Sequence, residues 1–230
     1  MVYLMHQRLG YEYIFREGRR FASMADAAPI AKGAEADIYL TCFLGRDALI
    51  KVRSPKRYRV PQLDSEIRAS RAKNEVRLMR EARRAGVRTP AVYDIDMNEF
   101  SITMEYVKGA KVKDELDRNP SSAAEICRMI GRAVADLHNS GICHGDLTTS
   151  NMILTEDHRI CLIDLSMGKT NAELESIGVD MHLLKRAFVS AHPDLPEAFA
   201  ELMRCYVERK KEPEKLFRKI EEIEGRGRYT

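Results

Sequence analysis

His144-Gly145-Asp146-Leu147-Thr148-Thr149-Ser150-Asn151, followed thirteen positions after its Asn by the Asp of Ile163-Asp164, is the stretch on which the reading of this chain turns. An Asp and an Asn five positions apart share one short loop, and a second Asp ends an apolar run. The intervening Met152-Ile153-Leu154 and Ile160-Cys161-Leu162-Ile163 are β-like. Phosphoryl transfer from Mg-ATP needs this ordered set: one carboxylate to orient the nucleophile, an amide oxygen and a second carboxylate to hold Mg²⁺. Asp146 is the candidate for the first task, and Asn151 and Asp164 are the candidate metal ligands.

Working outward, the pattern is strand-rich before this loop and helical around it. Strands are expected at about 27–32, 36–43 and 47–52, then a basic, Pro-containing connection from Ser54 to Pro61, then a long helix at about 64–85 stopped by Gly86. Two further strands are expected at about 91–96 and 100–106, and Gly109 marks a break. Asn119-Pro120 precedes a helix with Ser122 and Glu125 as a capping box and Ile126, Ile130, Val134 and Leu137 on one face. Helices near 179–191, 196–210 and 213–224 follow. This predicts an α+β, bilobal fold: residues 1–26 as an extension of unknown role, 27–106 as a small β-rich N-lobe, 107–224 as a short helical C-lobe and 225–230 as a basic tail. The ligand is expected in the cleft.

The 230 residues are 44% hydrophobic and 32% charged, and no apolar run approaches the roughly 20 residues that span a bilayer. Five scattered cysteines (42, 127, 143, 161, 205) form no C-x-x-C pair, and the N-terminus lacks a signal-peptide pattern. A cytoplasmic protein with reduced thiols and no membrane partner is therefore expected. The formal charge of +3 is unevenly spread: residues 51–84 carry twelve Lys/Arg against four acids, leaving the remainder at −5. Two readings stand, a solvated helix face or a surface for an anion such as RNA. For the second, Lys56, Arg57, Arg59 and Arg71 are candidates; Arg226 and Arg228 form a separate basic end.

Lys51 lies among apolar strand residues and needs an anion. Glu75 shares the apolar side of the following helix with Ala72, Val76 and Met79, so it is the expected partner; Glu81 lies off that face. Lys32-Gly33-Ala34-Glu35-Ala36 joins two strands where a phosphate-covering loop belongs, although it has one glycine and an acidic Glu35 with no evident partner. Met104-Glu105-Tyr106-Val107 is the expected adenine-binding connector. His144 reads as a nucleophile's base, as a metal ligand or as a brace for the loop.

Together these residues resemble the small atypical kinase/ATPase subunit of the KEOPS complex. The resemblance rests on Lys32–Ala36, Ile50-Lys51-Val52-Arg53 running on to Lys56-Arg57-Tyr58-Arg59, Leu63-Asp64 with Ile67, the loop at 144–151 and Arg226-Gly227-Arg228. It implies ATP-site roles for Lys51, Glu75, Asp146, Asn151 and Asp164, ATP and Mg²⁺ as cofactors, and a threonylcarbamoyl transferase subunit, other KEOPS subunits and tRNA as partners. It also implies that the tail reaches the transferase.

Departures from ordinary protein kinases have chemical content. His144-Gly145-Asp146 lacks the Arg that would read an activation-loop phosphate, and Thr148 stands where a Lys would neutralise the transferring group. Only fifteen residues separate Asp164 from Asp180, too few for a peptide-docking platform, and Asp164 is followed by Leu165-Ser166 where Phe-Gly is usual. Slow autophosphorylation or ATP hydrolysis is the expected activity. The alternatives are a small-molecule phosphotransferase of the aminoglycoside or choline kinase type, which also uses His-Gly-Asp-Leu, and an adaptor that keeps ATP for structure.

Overall fold

The 37–52 segment folds back on itself as an antiparallel hairpin, Asp37–Phe43 against Arg46–Val52. The computed structural model describes residues 5–6, 11–12 and 28–226. Strands β1 (Met5–His6) and β2 (Tyr11–Glu12) pair with each other. Five antiparallel strands then form one sheet in the order β3-β4-β5-β7-β6: β3 (Ala31–Lys32), β4 (Asp37–Phe43), β5 (Arg46–Val52), β6 (Val92–Asp96) and β7 (Ser101–Glu105). Central β5 buries Ala48 and Ile50 on one face and Lys51 on the other, as the two-residue period requires. The strand expected from residue 27 is confined to Ala31–Lys32.

The long helix α1 (Pro61–Arg84) starts at its proline, whose missing N–H costs nothing in the first turn. Its buried side is Ala72, Glu75, Leu78, Met79 and Ala82. Val76, expected on that side, is half-exposed, and Leu78 is buried instead. The chain divides into two compact units, residues 1–72 with 91–106, and residues 73–90 with 107–230. The division cuts α1 after Ala72, so the boundary does not simply follow the chain as the 27–106 and 107–224 segments do.

The second unit is helical with small sheets. Strand β8 (Gly109–Lys111) precedes α2 (Val112–Arg118) and α3 (Ala123–Asn139); β9 (Ile142–Cys143) precedes the loop, and β10 (Met152–Thr155) and β11 (Ile160–Leu162) follow it. Strands order as β11-β10-β8, while β12 (Lys169–Thr170) pairs with β9. Helices α4 (Leu174–Ala191), α5 (Pro196–Arg209) and α6 (Pro213–Arg226) complete the unit. Helix α6 continues two residues into the segment read as a tail, and 227–230 lie outside the described residues.

Ile126, Ile130, Val134 and Leu137 of α3 are buried, as their spacing requires. The capping box is not formed: the Ser122 hydroxyl donates to Asn119 O (2.9 Å), because a 3-10 turn at Pro120–Ser122 already satisfies the helix start. A packing requirement absent from the periodicity sits at Gly131. A Cβ there would lie 2.3 Å from Leu202 O of α5, so the two helix backbones touch through the missing side chain. Gly131→Ala must push these helices apart and is expected to destabilise the chain by about 2 kcal/mol, typical of overpacking. Urea denaturation of the variant beside Ala135→Gly, which removes rather than adds volume, checks this.

Candidate functional site

The loop at 144–151 is held by one buried carboxylate. Asp180 of α4 accepts hydrogen bonds from the amide of His144 and from that of Gly145 (2.8 Å), and its Oδ2 lies 3.4 Å from His138 Nε2. His138 Nδ1 in turn meets Tyr206 Oη at 2.8 Å. Burial opposes the Asp180 charge, yet the His138 hydrogen bond and charge, with the His144 amide, hold its carboxyl below the ordinary range. Gly145 is required where it stands: φ is +82° and a Cβ would lie 2.3 Å from Met167 O.

His144 is a brace. Nε2 donates to Ile163 O (3.0 Å) and Nδ1 accepts the Asp146 amide (3.3 Å), a pairing that needs the neutral ring. Burial, with its neighbours opposing, pushes the pKa of this fully enclosed imidazole down.

Within the loop, the Asn151 amide group donates to Asp146 Oδ2 (2.8 Å) and Asp146 O (2.9 Å). The register of β10 and β11 pairs Met152 with Leu162, and Ile163 N donates to Asn151 O (3.0 Å), so Asn151 sits opposite the residue before Asp164. Asp164 adopts a left-handed φ of +58°, and its Oδ1 accepts the Ser166 hydroxyl (2.9 Å). Leu165 is fully buried, and a Cβ on Gly168 would strike Cys143 O at 2.3 Å. The Leu-Ser variation after Asp164 therefore keeps an apolar anchor and adds a hydroxyl to the acid. Asn74 of α1 donates to Ser166 O (3.1 Å) and Gly168 O (2.9 Å), joining the helix to this turn.

The donor set suits a hard cation. With its NH₂ committed to Asp146, Asn151 has Oδ1 as its accepting atom, and one amide oxygen with one carboxylate matches Mg²⁺, which keeps several waters and substrate oxygens. No group of three or more His, Cys, Asp or Glu side chains able to hold a metal occurs among the described residues.

Asp146, Asn151, Asp164 and Glu75 belong to the second unit, as does Val107. Lys51, Lys32–Ala36 and Met104–Tyr106 belong to the first. Lys51 and Glu75 are buried, with 7% and 1% exposure, while Glu81 is half-exposed. Met104 and Val107 are buried, Tyr106 is exposed, and Glu105 accepts the Ala91 amide (3.0 Å). In the Lys32–Ala36 turn, Gly33 N donates to Ala36 O (2.9 Å). Glu35 there pairs with Arg71 and, at 3.5 Å, with Arg53, which supplies the partner missing from the sequence.

The basic run is not one surface. Arg53 and Arg71 serve Glu35, while Arg68 (2.7 Å) and Arg59 (3.5 Å) serve Asp64. Burial opposes the Asp64 charge, but the Arg68 hydrogen bond, the Lys56 amide and the two guanidinium charges hold its carboxyl below the ordinary range. Arg59 and Arg71, read as RNA candidates, are thus committed within the fold. Lys73, Arg77, Arg80 and Arg84 instead recur at four- and three-residue spacing on the exposed stripe of α1. No carboxylate among the described residues pairs with Lys73, Arg80 or Arg84.

Asp180, His138 and Tyr206 were not legible as site residues, since they lie 36 to 68 positions from their partners. Asp180→Asn keeps the shape but removes the charge that two amides and His138 share, and is expected to cost about 3 kcal/mol at pH 7. The loss should shrink as pH falls below about 4, because stability tied to a lowered carboxyl pKa is present above the unfolded value and disappears as the native group protonates. Chemical denaturation of both proteins at pH 7 and pH 3 checks the size and the sign.

Comparison with known proteins identifies the family. The RIO domain family matches residues 41–189. "KEOPS complex subunit Bud32" of Pyrococcus abyssi is 42% identical over 210 residues, covering 87% of this chain and 95% of that protein. The Dictyostelium discoideum subunit bud32 is 33% identical over 86% of this chain and 82% of its own length. A "probable bifunctional tRNA threonylcarbamoyladenosine biosynthesis protein" of Methanothermobacter thermautotrophicus is 40% identical, but this chain spans only 36% of it. Among solved structures, the Rio2 kinase–ADP/Mg²⁺–phosphoaspartate complex from Chaetomium thermophilum matches with a TM-score of 0.53 over 89% of this chain and 73% of that one; at 17% identity this likeness shows the fold alone. With an α+β kinase-like fold, a RIO domain over most of its length and Bud32 relatives matched nearly end to end, the chain belongs to the RIO-domain family and, within it, to the Bud32 group.

Proposed function

We propose that this chain binds Mg-ATP and acts as an atypical serine/threonine kinase or ATP hydrolase, as a KEOPS subunit supporting threonylcarbamoyladenosine formation on tRNA. The observation that carries the chemical part is the Asn151–Asp146 hydrogen bond in a loop pinned by Asp180, with Asp164 one position beyond the residue that faces Asn151. Asn151 and Asp164 would hold Mg²⁺, which when bound offsets the charge of the phosphate oxygens. Asp146, oriented by Asn151, accepts the proton of the attacking hydroxyl or water. Lys51 would bind phosphate oxygens, with Glu75 as the partner that its place on the apolar side of the helix suggests. The 32–36 turn covers the phosphates, and Met104–Val107 meets the adenine.

The names of the relatives support the assembly and the tRNA threonylcarbamoyladenosine pathway; a transferase subunit and tRNA as the partners are our reading. No helix of the described residues is long and apolar enough to cross a membrane. The cytoplasmic reading rests on the five cysteines, all of them free thiols. The stripe Lys73–Arg77–Arg80–Arg84 supports an RNA interface. Like charges at this spacing weaken an isolated helix by a few tenths of a kcal/mol per pair, a cost an anionic partner would offset.

Asp164→Ala should abolish Mg-dependent ATP turnover while leaving the fold intact, and Asn151→Ala should impair it less, a neutral amide being the weaker ligand. Single-turnover phosphate release measures both, and also separates an enzyme from an adaptor that only stores ATP. Near-normal release by Asp164→Ala would sink the site. For the surface, Lys73→Glu/Arg80→Glu/Arg84→Glu should weaken tRNA binding and reduce its salt slope by about 0.7–0.9 for each phosphate no longer neutralised, with ATP binding spared. An unchanged slope would mean a solvated helix face.

A further inference from the structure

A second hydrogen-bonded chain reaches the same loop from the other side and has no part in the chemistry above. Asp117, in the last turn of α2, places Oδ1 2.9 Å from Nδ1 of His192, the residue that ends α4. The other ring nitrogen, Nε2, lies 3.1 Å from Thr149 Oγ1. In the neutral ring the carboxylate takes the Nδ1 hydrogen, which leaves Nε2 an acceptor and makes the Thr149 hydroxyl the donor. The ring is also packed against Phe188, with centroids 5.0 Å apart, so its plane is set by packing as well as by hydrogen bonds.

Hydroxyl, imidazole and carboxylate in series are also the parts of an activated nucleophile. Here Thr149 and His192 are only 2% and 4% exposed, so an incoming electrophile does not meet the hydroxyl. The series acts on the backbone instead. Thr149 is β-branched, with few χ1 choices, so fixing Oγ1 fixes the residue that opens the 3-10 turn Thr149–Asn151. Within that turn Asn151 N donates to Thr148 O (3.1 Å), and the Asn151 side chain leaves the turn toward Asp146.

We propose that Asp117, His192 and Thr149 are positioning residues, a relay that sets the direction of the Asn151 amide toward a divalent cation. The inference rests on the reading of Asn151 as a metal ligand. Asp180 secures the loop at residues 144–145 and the relay secures it at 149, which leaves Asp146 and Asn151 beside two fixed points. The inner end is sealed, whereas the Asp117 side chain is 54% exposed, so the outer end can be altered without opening the core.

The test is Mn²⁺ titration of the full chain bound to ADP, followed by electron paramagnetic resonance, beside the Mg²⁺ dependence of ATP turnover. Thr149→Val, which keeps shape and loses the hydroxyl, and His192→Phe, which keeps the ring packing, should each weaken Mn²⁺ binding about ten- to a hundred-fold. Metal-free ADP affinity should stay within about twofold of the wild type, and Thr149→Ser should recover most of the loss by restoring the donor. Asn151→Ala separates the two ideas. If it weakens Mn²⁺ binding while Thr149→Val matches the wild type, the metal site stands and the relay is overturned; if Asn151→Ala matches the wild type, both fail. Should Thr149→Val not fold, Asp117→Asn reads the same quantity: a several-fold loss supports the relay, and wild-type affinity overturns it.

Discussion

A buried carboxylate that accepts two consecutive backbone amides governs how this molecule is put together. Leaving water costs the Asp180 charge several kcal/mol, and only a saturated set of donors makes the position tolerable. Those donors are His144 N, Gly145 N and His138, so the fold must bring α3, α4 and the loop to one point for α4 to pack at all. Stability and loop geometry are thus one requirement. A chain that satisfies Asp180 has already placed the residues that precede Asp146.

From that point the structure is connected by unusual proximity of backbones. Gly145 and Gly168 let the loop and the turn after Asp164 approach to distances a Cβ would forbid, and Asn74 of α1 holds the same turn. The left-handed Asp164 is a conformation that Asp tolerates better than most residues, and the Ser166 hydroxyl holds the acid there. The second half of α1 therefore belongs with the loop it helps to hold, which is why the division into compact units passes through a continuous helix.

Charge is handled by the same logic of satisfaction. Four arginines of the basic run are consumed by two carboxylates, Glu35 and Asp64, and contribute to local structure. Lys73, Arg77, Arg80 and Arg84 instead share one exposed stripe of α1, and exposed Arg57 stands apart from it. A linear count of charge cannot separate the two groups, because pairing depends on which side chains the fold brings within reach.

Local pattern was enough to disclose most of the elements and the candidate residues that share one loop. The α3 face, the central strand with its buried Lys51, the buried Glu75 and the order of loop, hairpin and Asp164 were readable, because helix and strand periods and short spacings are local properties. Packing in three dimensions settled that His144 is a neutral brace, that Glu35 is held by Arg53 and Arg71, that Ser122 turns back to Asn119, and that Gly131 is a point where two helices touch. It alone singled out Asp180, His138, Tyr206, Asp117 and His192. Each of these meets partners dozens of residues away, and an isolated Asp, His or Gly in a helix carries no local mark of the donor or backbone it will face. That pairing exists only once the helices have packed.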